Sequence, residues 1–348
     1  MRLNLNEKKT VAQWNHPDQW QKWMLATVLV LGSSWCAAAE TEVTPVQMVG
    51  AIEDVFGVTP GERSNHTKGT CAAGEFVGIP GAASSYTRSA LFSGESVPVI
   101  ARFSLAGGNP NAPDTAKSPR GMALEFSLPN DQIQHMTMLN VPIFGAAQPG
   151  TFFDMLVAMK PDPITGKADP EKMQAFKVTH PDSHALGEFM AHHNPPVSYA
   201  NSAYFGIHTF KFVNRDNKIS MVRWQFVPQD GEKRLSDEAL QSSPKNFLEQ
   251  ALIERTKAGP LRWDMVIMLG EPGDAIDNPT VAWPEDRKTV KVGTLTLTSA
   301  MSQTGAACEK INFDPLVMGD GIEATDDPIL LFRSPAYATS FAKRASGM

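Results

Sequence analysis

Residues 203–228 read AYFGIHTFKFVNRDNKISMVRWQFVP. Two runs of alternating apolar and polar residues, 203–214 and 219–228, flank the turn-forming RDNK at 215–218. A period of two puts alternate side chains in a core and in water, and a short polar link between two such runs predicts an antiparallel hairpin. Outward from it, VPVIARFSL (97–105) and GMALEFSL (121–128) repeat the spacing between Gly, Pro and Asn, and 70–145 as a whole reads as a meander or barrel. WDMVIMLG (263–270) and KVGTLTLTSA (291–300) predict two further strands. Helical spacing is confined to TPVQMVGAIEDVF (44–56), to 150–193 with a break at PDPITG, to 236–257 opening on Ser236, and to a last helix around Tyr337. No repeat, low-complexity segment or linker interrupts residues 40–348. The expected fold is α+β, a single domain built on an antiparallel β-barrel core with flanking helices.

Hydrophobic residues make up 42% of the 348 and charged residues 20%, the balance of a folded soluble protein. A formal charge of -6 argues against nucleic acid or an anionic membrane as the main partner. The first residues are different in kind. Arg2, Lys8, Lys9 and Lys22 precede the apolar run WMLATVLVLGSSW and then CAAAE, which describes a secretory signal peptide over 1–39, cut near Ala39. The apolar run is short for a membrane span. A periplasmic or secreted location follows, with no membrane association after cleavage. Cleavage leaves Cys71 and Cys308 of the three cysteines. In an oxidising compartment they form either a disulfide joining the two ends of the domain or a pair of buried thiols.

Three places carry candidate chemistry. His66, in GERSNHTKGTCAAGEF, follows a turn at Pro60–Gly61 with Arg63 three residues earlier; it is either a surface residue or a general base. His184, Glu188 and His192 stand at successive i+4 positions, a possible metal stripe, although three such steps drift across a helix face and ordinary surface placement fits better. In RSPAYATSFAKR (333–344), Arg333 and Tyr337 share one helical face. A tyrosine ligates iron as a phenolate once its free pKa of ~10 is lowered, and a guanidinium one turn away assists.

Taken in order, ERSNHTKG (62–69), ARFSLAGGNPNAPDTAKSPRGMALEF (101–126), LNVPIF (139–144), YFGIHTFKFVN (204–214), VAWPEDRKTVKVGTLTLT (281–298), INFDPL (311–316) and RSPAY (333–337) strongly resemble the haem catalases. The resemblance runs from about Arg63 to Arg344. It implies heme b (iron) as cofactor, Tyr337 as the metal ligand with Arg333 bonded to it, and His66 as distal base beside Asn140. Arg63, Arg102 and Arg344 match the arginines that hold the haem propionates, Ser104 supports His66, and Phe144 packs near the haem plane.

Departures from that pattern bear on the reaction. The chain has about 26 mature residues before His66 and eleven after Tyr337, where full-length catalases carry an arm and further helices. Asn65 stands where catalases have valine, and Phe341 where they have a histidine. A polar distal wall and open access favour larger substrates. The resemblance is therefore closest to the shortened, secreted catalase-related peroxidases, whose pattern also includes Cys71. The expected activity is reduction of hydrogen peroxide or an organic hydroperoxide with a small organic electron donor, by a monomer or small homo-oligomer. Other readings are a true catalase, a haem enzyme rearranging fatty-acid hydroperoxides, and a periplasmic haem- or metal-binding protein without turnover.

Overall fold

The computed structural model describes residues 42–347. The signal peptide expected over 1–39 lies outside the described residues. In chain order the elements are α1 (Pro45–Phe56), β1 (Gly69–Gly78), β2 (Ser96–Leu105), β3 (Arg120–Ser127), β4 (Ile133–Leu139), α2 (Pro149–Met159), α3 (Pro170–Thr179) and α4 (His184–His192). They continue as β5 (Tyr204–Phe205), β6 (Phe210–Val213), β7 (Ile219–Pro228), α5 (Asp237–Ser242), α6 (Leu248–Lys257), β8 (Leu261–Leu269), β9 (Thr289–Ser302), α7 (Ala307–Lys310), β10 (Ile322–Ala324) and α8 (Pro328–Ala345).

The expected antiparallel barrel is present. Strands pair in the order β5–β4–β3–β2–β1–β9–β8, and β7 bonds to both β5 and β8, which closes a ring of eight. Closure leaves no unpaired edge within the ring. Inward-facing rings fill it: Phe76 meets Phe126 edge-on at 5.7 Å and Phe226 at 6.4 Å between centroids. Gly293 on β9 is required by that filling, because a Cβ there would lie 2.2 Å from the Phe76 ring. The buried Trp263 indole satisfies its N–H on the Ser202 carbonyl, 3.1 Å away.

Two sequence expectations change in detail. The helix expected over 236–257 is two helices, α5 and α6, separated by a segment containing Pro244. The buried Asp114 carboxylate takes the N–H groups of Phe247 and Leu248 at 2.7 and 2.8 Å, which starts α6 afresh. The strand read over 203–214 is interrupted after Phe205 and resumes at Phe210. Gly206 sits against the Trp224 indole, and Ile207 follows with φ 49°, a left-handed conformation costly for a β-branched residue. The hairpin itself forms as expected, β6 pairing with β7 from Phe210↔Val222 to Val213↔Ile219.

Outside the barrel, α1, α2 and α8 pack on one another around Met48, Ala51, Ile52 and Leu156. A Thr44–Gln47 capping box starts α1, and Pro45 occupies its first turn. Asp327 starts α8 by accepting from the N–H groups of Ile329 and Leu330 at 2.9 and 3.2 Å. Cys71 of β1 and Cys308 of α7 are joined in a disulfide, Cα–Cα 5.7 Å, so the bonded alternative of the sequence reading holds.

Candidate active site

Between the barrel wall and these three helices lies a cavity of about 230 Å³. With ~10–15 Å³ enough on this measure to hold one water, it is a ligand site rather than a packing defect. His66, Ser104, Phe144, Arg63, Arg102, Arg333, Tyr337 and Arg344 all line it. Sequence positions 63 and 344 are thereby brought to one chamber. Asn140 lies just beyond β4, next to the cavity-lining Leu139, but does not itself line the cavity. Its Oδ1 accepts from the Arg120 N–H at 2.7 Å, which leaves only the Nδ2 amide free to act as donor.

His66 stands on the loop before β1 with φ 55°, a strained conformation for a non-glycine residue. Asn65 maintains it: its Oδ1 accepts from the His66 N–H and the Gly107 N–H, both at 2.8 Å. Asn65 lines the chamber, as the expected polar distal wall requires, with its carbonyl engaged by backbone. His66 Nδ1 meets Ser104 Oγ at 2.9 Å. Gly121 on β3 clears the space for that contact, since a Cβ there would lie 2.7 Å from Ser104 Oγ and 3.1 Å from the imidazole. Burial, and then the charges of Arg102, Arg333 and Arg63, push the His66 pKa down to about 3. The imidazole is neutral at ordinary pH and able to accept a proton.

On the facing wall, Arg333 Nη2 donates to Tyr337 Oη at 2.8 Å and to Thr137 Oγ1 at 2.6 Å. The single helical turn between Arg333 and Tyr337 read from the sequence is thus a direct contact, with Pro335 between them in α8. Below it, His208 Nδ1 and Asp327 Oδ2 lie 2.7 Å apart and fully buried, so Nδ1–H is assigned from its carboxylate partner. His208 Nε2 and Arg333 Nη1 are buried without a protein partner.

The third group is cationic. Arg63, Arg102 and Arg344 line the chamber, and among the described residues none of them has a carboxylate within 4.0 Å. Arg102 is held by the carbonyls of His66 and Thr67 and by Gln303 Oε1 at 2.7, 3.1 and 2.6 Å. Arg344 stacks on Phe341, 4.9 Å from the ring centre, so the residue replacing histidine carries an arginine. Burial, with mutual repulsion, lowers the Arg63 pKa to about 8 and burial lowers that of Arg102 to about 10. Glu62 offsets part of this, but gathered, partly buried like charges remain costly, and a ligand with paired carboxylates lowers the cost. An apolar chamber with cations at one side, a phenol on one wall and an imidazole on the other fits haem.

Sequence reading missed Thr137, His208, Asp327 and Gln303, whose partners are far away in the chain. The His184–Glu188–His192 stripe lies exposed on α4, and His184 Nε2 is bonded to the Lys177 carbonyl at 2.7 Å. Among the described residues no group of three or more His, Cys, Asp or Glu is arranged to hold a metal ion.

Comparison with known proteins identifies the family. The chain is 57% identical to a catalase-related peroxidase of Synechococcus elongatus over 95% of its length and 98% of the relative's. It is 33% identical to a catalase-related peroxidase of Mycolicibacterium paratuberculosis, covering 87% of this chain and 95% of that one. A fungal catalase crystal structure superposes with a TM-score of 0.76 at 23% identity, over 82% of this chain but only 59% of the catalase. Since the family model described as Catalase matches residues 58–348, almost all of the described fold, the chain belongs to the catalase family.

Proposed function

We propose that the protein is a haem-dependent peroxidase that reduces hydrogen peroxide or an organic hydroperoxide at the expense of a small organic donor. The observation that carries this reading is the single chamber holding three arginines with no carboxylate within 4.0 Å among the described residues, an arginine-bonded tyrosine and a neutral, half-buried histidine. Its relatives named catalase-related peroxidases, matched over nearly their whole length, support a peroxidase over a catalase.

In this reading Arg63, Arg102 and Arg344 would hold the carboxylates of heme b and the Tyr337 oxygen its iron. Bound there, it would supply the redox chemistry that peroxide reduction needs. Arg333 donates to the Tyr337 oxygen and offsets the negative charge that a ligating phenolate carries. His66 takes a proton from one peroxide oxygen and delivers it to the other, with Ser104 fixing the imidazole's orientation. Asn140, one residue beyond the chamber lining, would have to turn the Nδ2 amide that its Arg120 contact leaves unused toward the chamber to act as the distal donor. Phe144, whose ring lies 5.3 Å from that of Phe152, would pack near the macrocycle and help exclude water.

Residues 40–348 act as one domain, exported to the periplasm or beyond and working as a monomer or small homo-oligomer. The signal-like sequence over 1–39 and the Cys71–Cys308 disulfide, a bond favoured outside the cytosol, support that location. Purification with haem, followed by spectra before and after peroxide and a panel of phenolic donors, tests the proposal. Donor oxidation outpacing oxygen release is the expected result; oxygen release without a donor at matching rates would indicate a catalase. Tyr337→Phe is expected to abolish stable haem binding, and full haem retention would remove Tyr337 as the ligand.

A further inference from the structure

Backbone carbonyls hold three of the five N–H donors of Arg63. Nη1 donates to the Glu309 carbonyl at 3.1 Å, and Nη2 donates to those of Cys308 and Ile311 at 3.2 and 2.6 Å. All three acceptors belong to one short segment, the four-residue α7 and the residue after it. One isolated turn of helix has no stability of its own. What fixes this turn is Cys308, fully buried and bonded to Cys71, with Phe313, Ile100 and Ala123 around the bridge.

The other end of the bridge matters as much. Cys71 lies in β1 directly opposite Arg102 of β2. The bridge therefore spans from the strand pair carrying one chamber arginine to the carbonyls that grip another. Ahead of α7, Gln303 accepts from Arg102 and donates its amide to the Thr67 carbonyl at 3.0 Å. Residues 303–311 thus form a strap across the arginine cluster, held by Gln303 at one end and by the disulfide near the other.

We infer that the Cys71–Cys308 disulfide is a positioning device for the anion site: it holds the carbonyls of residues 308–311 that aim Arg63 at a carboxylate of the bound cofactor. The inference rests on the reading of Arg63 as a carboxylate ligand. A disulfide serving only as a staple between distant parts of the chain would stabilise the fold without acting through Arg63. The two roles separate in a mutant cycle, because residues acting through one another are non-additive and independent ones are not.

The test compares the haem-loaded wild type, Cys71→Ser/Cys308→Ser, Arg63→Gln and the triple variant. Its readout is the rate at which haem passes to excess apomyoglobin, which needs no turnover. Loss of charge-assisted bonds to a carboxylate corresponds to about tenfold or more in that rate. The cysteine pair and Arg63→Gln are each expected to reach this, and the triple variant to lose haem no faster than Arg63→Gln alone. A triple variant whose acceleration is the product of the two overturns the inference in favour of a staple. A cysteine variant that keeps haem as tightly as wild type, while Arg63→Gln does not, also overturns it and leaves the carboxylate reading intact. Haem retention unchanged in Arg63→Gln removes the carboxylate reading itself. Should the cysteine variant not fold, the native protein and Arg63→Gln are reduced with dithiothreitol, the free thiols are counted by alkylation, and the same rates are compared.

Discussion

Asp327 divides its carboxylate between two tasks: Oδ2 lies 2.7 Å from His208 Nδ1, while Oδ1 accepts from the first N–H groups of α8, the helix that carries Tyr337. One buried side chain thus ties the interrupted strand to the helix bearing the proposed iron ligand. Asp327→Ala removes a helix cap and strands a buried imidazole, each worth ~1–2 kcal/mol. A loss of about 2–4 kcal/mol is expected in urea unfolding, whereas Asp327→Asn, which keeps a capping oxygen, is expected to lose less.

Acid is expected to destabilise the cofactor-free protein earlier than its carboxylates require. Burial and three guanidiniums lower His66 to about 3, and burial lowers His208 to about 4 against the opposing pull of Asp327. Between these values and ~6.5 the unfolded chain binds protons that the folded chain does not, so stability falls as pH drops through that window. Urea midpoints at stepped pH values read the slope. His66→Ala should flatten it; an unchanged slope would exclude His66 as a contributor.

Asn65 is expected to matter for the loop rather than for the substrate. Asn65→Ala leaves the N–H groups of His66 and Gly107 without their shared acceptor, a cost of ~1–3 kcal/mol if water does not replace it. Release of His66 from its φ of 55° then misplaces the imidazole. Both a lower melting temperature and lower turnover are expected, with haem content retained. Normal stability with altered donor preference would instead make Asn65 a substrate contact.

Gly121→Ala separates the placement of His66 from its presence. The new methyl would press on Ser104 Oγ and the imidazole without touching the proposed iron ligand. Turnover is expected to fall by ~10-fold or more while the haem spectrum is retained, approaching the larger loss of His66→Ala. Wild-type turnover in Gly121→Ala would mean that the Ser104 contact is not needed.

Much of this architecture was legible from local pattern. The hairpin about residues 215–218 and the strands at 97–105, 121–128, 263–269 and 291–300 followed from alternation, because one face of each strand fills a barrel. The break at Gly206–Thr209 did not, since Ile207 and His208 continue the alternation by type while Ile207 departs from it in backbone angle. That departure is imposed by Trp224 and by Asp327, 119 residues downstream of His208. Asn65 was recognisable as unusual, but the direction of its carbonyl depends on Gly107, which no spacing rule links to it. The disulfide was an open alternative for the same reason, because pairing across 237 residues is a property of the closed barrel.

The cluster of Arg63, Arg102 and Arg344 has a consequence for stability. The fold gathers three guanidiniums at one side of the chamber; burial depresses the pKa of each, with repulsion among them adding at Arg63 and Arg102 and Glu62 opposing it at all three. If the proposed dianionic cofactor binds there, its binding free energy adds to the stability of the fold, so the cofactor acts as a structural component as well as a chemical one.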